Sequence, residues 1–323
     1  SSDVCSSDLE IDPCATRPNQ LEFLADQGFN RLSLGVQDLD ETVQQAVNRI
    51  QGLEITREHL ETARGLGIKG INFDLIYGLP CQTSESFKRT ADAVIEMKPD
   101  RLAVYNFGYL PDKMRHQRKI DPETLPSTKE KMSILLNSIN QFCSAGYNYI
   151  GMDHFALPED ELSIAQKNRT LYRNFMGYTP KSGIDLMGIG VTSISEFENH
   201  FIQNEKSLKA YKHQIDTLGI AGTRGIALSN DDRMRKWAIM KLICHFYLDF
   251  KEFSQAFGVS FTDVFEKELR RLIELEQDGL LMIGPDHIQV LDHGKILVRN
   301  ICMVFDAYLH RKDKPQIKFS QTI

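Results

Sequence analysis

No two of the six cysteines stand close enough for a C-x-x-C or C-x-x-x-C pair; they occupy positions 5, 14, 81, 143, 244 and 302. That excludes a thioredoxin-type motif and any compact thiolate constellation within this stretch. Each cysteine alone reads as a small apolar filler. Without a secretory signal, the scattered spacing points to a reducing, cytoplasmic setting. No apolar run is long enough to span a bilayer. There is no low-complexity tract and no short-period repeat. H-E-x-x-H, a phosphate loop and a dependable Ser/His/Asp spacing are also missing, which sets aside the commonest hydrolase chemistries. A net charge of -6 supplies no field favouring nucleic acid or an acidic membrane.

What is present is ordinary globular composition: 323 residues, 41% hydrophobic and 25% charged, enough for one large domain and a smaller one. Ser1–Leu9 (SSDVCSSDL) has no apolar period, and DVCSSDL is what one frame of a common sequencing-adapter oligonucleotide encodes. Residues 1–9 are therefore read as an artefact and excluded from fold reasoning, Cys5 with them. From Glu10 the order is β-α-β-α-β. Glu10-Ile11-Asp12-Pro13 ends a strand, Gln20–Gln27 is a short helix, and Arg31–Gln37 (RLSLGVQ) alternates apolar and polar residues. Asp40 caps a helix and Thr56–Leu66 forms another. The run Ile71–Ile76 reads as a strand buried on both faces, stopped by Gly78-Leu79-Pro80. A helix follows over Ser84–Met97, then a strand over Arg101–Phe107. Short connections between such elements argue parallel strands.

Ser127-x-x-Glu130 predicts a capping box for a helix through Ala145, and Tyr147–Met152 one more strand. Residues 157–182 lack periodicity and read as a functional loop or short helices. Gly183, Gly188 and Gly190 suggest a close approach to a ligand before Ile194. From Ser229 the pattern becomes helical: Asp231–Phe246, Asp249–Phe257 and Phe261–Gln277. A hairpin around Gly284-Pro285-Asp286 and a final helix from Gly294 follow. The expected division is thus 10–228 and 229–323, the second part winged-helix-like and serving as a lid or packing element.

Polar residues gather at strand ends: Glu10, Gln37, Asp74, and Asn106-Phe107-Gly108, with Arg49 a helix-length beyond Gln37. A ring of this kind at one mouth of a parallel barrel can hold a polar small molecule. Carboxylates suit ribose hydroxyls, and arginine suits a carboxylate. Salt bridges between strand ends remain the plain alternative, and Asp74 is either a structural acid or a ligand contact. Downstream, Gly151–Phe155 (GMDHF), Arg173-Asn174-Phe175 and Tyr178 form a second cluster. Asp153 beside His154 is open to a general-base or a structural role.

The stretches RLSLGVQ, Asn48-Arg49, FDLIYGLP, DRLAVYNF, GMDHFA, RNF-x-GY and NICM-x-FD together resemble the oxygen-independent coproporphyrinogen III oxidases, from Glu10 to the last residues. These are radical S-adenosylmethionine (SAM) enzymes of haem biosynthesis. The resemblance implies a partial (β/α)6-type α/β barrel with its amino-terminal strands missing and a smaller carboxyl-terminal domain. It implies a [4Fe-4S] cluster, two SAM molecules, coproporphyrinogen III as substrate, an electron donor and acceptor, and a monomer. The implied reaction decarboxylates two propionates to vinyls through a SAM-derived 5'-deoxyadenosyl radical.

Carried over by motif, Glu10 and Ile194 resemble contacts to the first SAM. Gln37, Arg49, Asp74 and Gly108 resemble contacts to the second. His154, Arg173 and Tyr178 are candidates for the substrate. The family's C-x-x-x-C-x-x-C and GGGTP motifs would lie before Glu10 and are not in this sequence. The expectation is that these 323 residues have no metal ligands of their own and are inactive alone, while the full-length protein is an oxidase. Tyr172 stands where the family usually has His, and Gly108 where Ala is usual. A haem-binding chaperone on the same scaffold is the alternative, and the downstream motifs favour the oxidase.

Overall fold

The computed structural model describes residues 8–197 and 199–309, and these divide by contacts into two compact units at Ser163/Ile164. Cys5 and most of the stretch read as an artefact lie outside the described residues. The contact division falls earlier than the change of sequence character at Ser229.

The first unit is α/β. In order it holds β1 (Asp8–Ile11), α1 (Pro18–Asp26), β2 (Arg31–Gln37), α2 (Glu41–Ala46), α3 (Leu53–Gly65), β3 (Gly70–Tyr77), α4 (Ser84–Met97), β4 (Arg101–Asn106), α5 (Thr128–Ser144), β5 (Asn148–Gly151) and β6 (His154–Ala156). The six strands make one sheet, ordered β1-β2-β3-β4-β6-β5. Strands β1 to β4 are parallel, as the β-α alternation predicts. The sheet is then finished by an antiparallel hairpin, so the predicted strand at Tyr147–Met152 is one arm of a turn whose tip is Met152-Asp153. β1 starts at Asp8, two residues inside the stretch set aside from the sequence.

The β3 expectation needs correction. Its residues alternate: Ile71, Phe73, Leu75 and Tyr77 are buried, whereas Asn72, Asp74 and Ile76 are half-buried. Leu32, Leu34 and Val36 of β2 share the buried side. Helices α3 and α5 pack against β2 and β3 there, each large apolar side chain contributing roughly 2 kcal/mol of burial. Isoleucine on the half-buried side hid the period from the sequence.

Local chemistry explains the helix starts. Thr83 accepts from the Ser86 N–H and Ser86 Oγ accepts from the Thr83 N–H, a reciprocal cap on α4. At α5 only half of the expected box forms. Ser127 caps Glu130 N–H, but the Glu130 carboxylate accepts from Ser84 N–H at 2.6 Å, joining the two helix starts.

A short helix, α6 (Glu161–Lys167), crosses the division. The second unit then holds the hairpin β7 (Tyr172–Asn174) and β8 (Gly177–Thr179), then β9 (Ile194–Phe197), β10 (His200–Asn204), α7 (Leu208–Leu218) and β11 (Gly222–Ala227). Next come α8 (Asn230–His245), β12 (Tyr247–Asp249), α9 (Phe250–Phe257), α10 (Phe261–Val264), α11 (Glu266–Gln277), β13 (Leu281–Ile283), β14 (His287–Val290), α12 (Asp292–Ile296) and α13 (Val298–Met303). Strands β9 to β11 form an antiparallel sheet of their own. The hairpin near Gly284 gains β12 as a third strand. The single helix expected over Phe261–Gln277 is two, broken at Phe265, whose ring packs on Phe253, Phe261 and Phe305. Among the described residues, no helix is long and apolar enough to cross a membrane.

Candidate functional site

Polar groups in the first unit collect on the half-buried sheet face. Register sets Glu10 opposite Ser33, and Gly35, Asp74, Ala103 and His154 in one row across four strands. Neighbouring strands lie about 4.8 Å apart, so Asp74 and His154 are roughly 10 Å from each other. Ser33 Oγ donates to one Asp74 oxygen at 2.7 Å and Asn72 Nδ2 to the other at 2.9 Å. Burial holds the Asp74 carboxyl above the usual range; these two hydrogen bonds pull it down, and the Glu10 charge adds to the rise. His154 meets Tyr105 edge-on at 5.9 Å.

Gln37 and Arg49 come together at the end of β2. The pairing with β3 slips between Gly35 and Gln37, and Gln37 adopts φ 64°. A non-glycine residue in that region costs about 1 kcal/mol and marks a side chain whose aim is being set. Arg49 Nη2 donates to the Gly35 carbonyl at 2.9 Å and lies 3.1 Å from Asp12 Oδ1, while its buried Nε has no partner. A Cβ on Gly35 would sit 2.8 Å from Gln37 Nε2 and 3.2 Å from Arg49 Nη2, so the glycine lets these two side-chain ends lie over the strand where they do. The two side chains line a cavity of about 490 Å³ with Ile76, Phe107, His116 and Lys119 among its walls. Gly108 adjoins it: its carbonyl accepts from Gln117 Nε2, another lining residue, at 2.9 Å. Asp74 does not line this cavity; Ile76, two residues on along the same face, does.

Next to the lining residues Gln37 and Ile76 is a buried polar network that the sequence did not disclose. Asp38, 1% exposed, accepts from Thr90 Oγ1 at 2.6 Å and Gln82 Nε2 at 2.5 Å. Gln82 also accepts from Gly78 N–H and donates to the Ile76 carbonyl. One buried amide therefore ties the end of β3 to the end of β2.

In the second unit, Arg173 and Ile194 line a cavity of about 520 Å³ together with Glu196, Phe201, Lys236 and Phe305. Glu196 accepts from Tyr172 OH at 2.7 Å and Lys236 Nζ at 2.6 Å. Tyr172, where histidine was expected, thus completes an ion-pair network. Burial, then this bond to Glu196, pushes its phenol up. Arg173 lies 5.5 Å from the Tyr178 ring centroid, and its buried Nε has no partner. The Tyr178 hydroxyl donates to the Ile243 carbonyl at 2.9 Å, a structural tie rather than a hydroxyl aimed at a ligand. Of the glycines before Ile194, Gly188 approaches the chain's own backbone, where a Cβ would stand 2.8 Å from the Ile194 carbonyl oxygen, whereas nothing lies within 4 Å of a Cβ built on Gly183 or Gly190. Sequence reasoning missed Glu196, Lys236, His116 and Lys119. The basic run Arg115–Lys119 was the one visible signal.

Among the described residues, no group of three or more His, Cys, Asp or Glu side chains is placed to hold a metal ion. Cys14, Cys81 and Cys143 are scattered and exposed, and burial pushes the Cys244 thiol up to about 12. The described residues therefore do not fit an iron–sulfur cluster. Gln37, Arg49 and the Gly35 cradle do fit a polar ligand of SAM's kind.

Two family models match: the radical SAM superfamily over residues 6–94 and the HemN C-terminal domain over 228–297. The chain is 47% identical over 315 residues to the oxygen-independent coproporphyrinogen III oxidase of Salmonella typhimurium, covering 98% of this chain and 69% of that protein. It is 44% identical over 314 residues to the Helicobacter pylori enzyme, covering 97% and 68%. The solved structure of coproporphyrinogen III oxidase from Escherichia coli, a radical SAM enzyme, superposes with a TM-score of 0.92 at 46% identity, covering 94% of this chain and 70% of that one. Radical SAM membership implies a [4Fe-4S] cluster and SAM. The α/β architecture, the strand-end polar residues and these relatives lead to one assignment: the chain belongs to the oxygen-independent coproporphyrinogen III oxidase family of radical SAM enzymes.

Proposed function

We propose that this protein serves the oxygen-independent conversion of coproporphyrinogen III to protoporphyrinogen IX, two propionates leaving as carbon dioxide to yield vinyls. The observation that supports the reading most is likeness along nearly the whole chain to relatives that carry this one activity name. In this reading two SAM molecules are used. In the first unit, Glu10 is a contact to the first and Gln37, Arg49, Asp74 and Gly108 are contacts to the second, with His154 a substrate candidate; in the second unit, Ile194 is a SAM contact and Arg173 and Tyr178 are substrate candidates. Bound SAM supplies the hydrogen-abstracting chemistry.

The chain's own residues do the rest. The Arg49 guanidinium and Gln37 amide orient polar groups at the cavity, and Ile76 and Phe107 exclude water from it. Each Asp74 oxygen takes one bond, from Ser33 or from Asn72, and has acceptor capacity left for a ribose hydroxyl. The described residues do not supply the cluster's ligand set.

The test is anaerobic turnover of coproporphyrinogen III by protein whose iron and sulfide content shows a loaded cluster. Protoporphyrin after oxidative work-up, with two carbon dioxide per substrate, supports the reading. A loaded sample that leaves coproporphyrinogen unchanged sinks it, and haem retention by that sample would indicate a carrier instead.

A further inference from the structure

The lining of the first unit's cavity includes the Lys119 and Arg49 charges and no carboxylate. His116 and Lys119 line the cavity from the 3-10 helix Arg115–Lys119, and Arg49 lines it from the loop between α2 and α3. No Asp or Glu is among the lining residues. Arg49 is partly offset by Asp12 at 3.1 Å. Among the described residues, His116 and Lys119 make no ion pair. The basic segment is also held in place. Gln117, 5% exposed, accepts from Leu110 N–H and donates to the Gly108 carbonyl, pinning the helix to the loop after β4. The rest of the lining includes the apolar side chains of Ile76, Leu79, Phe107 and Ile120. Low-polarity walls strengthen a cation's pull on an anion. The complementary ligand has an apolar body and ends in an anionic group.

We propose that Lys119, with His116 beside it, is the carboxylate-recognising wall of this cavity, taking either the α-carboxylate of SAM or a propionate of the tetrapyrrole. The proposal rests on the reading that Gln37 and Arg49 hold a ligand here. It adds which end of that ligand is recognised and by what. Lysine is the gatekeeper because its compact ammonium is a strong point charge on a flexible stem.

The test is calorimetric titration of this chain with SAM, with decarboxylated SAM, and with coproporphyrin III, the stable oxidised tetracarboxylate. Lys119→Met is expected to weaken one carboxylate ligand about tenfold, the loss of one charge-assisted bond. Lys119→Arg is expected to recover most of that loss, and decarboxylated SAM to bind Lys119→Met and the parent chain alike. Selective loss of SAM assigns the site to the α-carboxylate; selective loss of coproporphyrin assigns it to a propionate. Equal binding of both ligands by Lys119→Met and the parent overturns the proposal. So does an equal loss for decarboxylated SAM. If Gln37→Ala weakens binding while Lys119→Met is silent, the Gln37–Arg49 reading stands and only the present proposal falls. If the parent chain binds neither ligand, both fall.

Discussion

In the first unit, His116 and Lys119 line a cavity whose wall contains no carboxylate, whereas in the second unit the cavity's cations are already matched. Lys236 reaches Glu196 at 2.6 Å and Arg235 reaches Glu268 at 2.9 Å. The first arrangement leaves charge available to a ligand; the second uses charge to join β9 to α8 and α8 to α11. Arg173 is the exception in the second unit, since its Nε is buried without a partner. A cation beside a cavity is therefore informative only after its neighbours are counted.

The largest expected effect concerns the buried acid that is structural. Asp38→Ala should cost about 4 kcal/mol, because Thr90 and Gln82 lose their acceptor inside the fold. A urea midpoint near that of the parent would mean the network beside the first cavity is dispensable.

Acid should act next, and on the second unit. Burial, then the Lys241 and Arg169 charges, hold His245 down at about 4. Its folded pKa lies below its unfolded value, so as pH falls the unfolded chain takes the proton first. Stability present above about pH 6.5 is then lost progressively towards pH 4, by roughly 3 kcal/mol in all. His245→Gln should flatten this limb in melts across that range; an unchanged slope would remove His245 as its cause.

A paired comparison is smaller and more direct. Glu196→Gln strips Lys236 of its anion and should cost about 2 kcal/mol. Lys119→Met removes a cation without a partner and should stay within about 0.5 kcal/mol of the parent. Similar losses for both would erase the distinction between the two cavities.

The smallest effect is a gain. Gln37→Gly should stabilise the chain by about 1 kcal/mol by relieving the positive φ, while weakening SAM binding. A loss of stability would show that the Gln37 side chain contributes more to the fold than its backbone costs.

Much of the first unit was legible from local pattern. RLSLGVQ forms β2 over the same residues as expected, Ser84–Met97 is a helix between the predicted ends, and Asp40 caps α2. The strand-end residues were legible as a set because parallel βα units bring strand ends to one edge. Gln37 and Arg49 then share a cavity, whereas Asp74 sits two residues deeper and bonds to Ser33 and Asn72. The second unit was less legible. The sheet of β9 to β11 passed unread because its strands are short and β11 is exposed throughout, so no burial period marks it.

By itself the sequence determined where the strands and helices of β1 to α5 run, since side-chain period, caps and glycines act within a few residues. It also carried the motifs that place the chain in its family. Only the tertiary structure decided partners. Glu130 left its own cap for Ser84, Gly188 met the Ile194 backbone, and Lys236 found Glu196 forty residues away. The physical reason is that a charge or hydrogen bond is set by distance in space. Period and composition record which face a residue is on; they do not record what crosses to meet it.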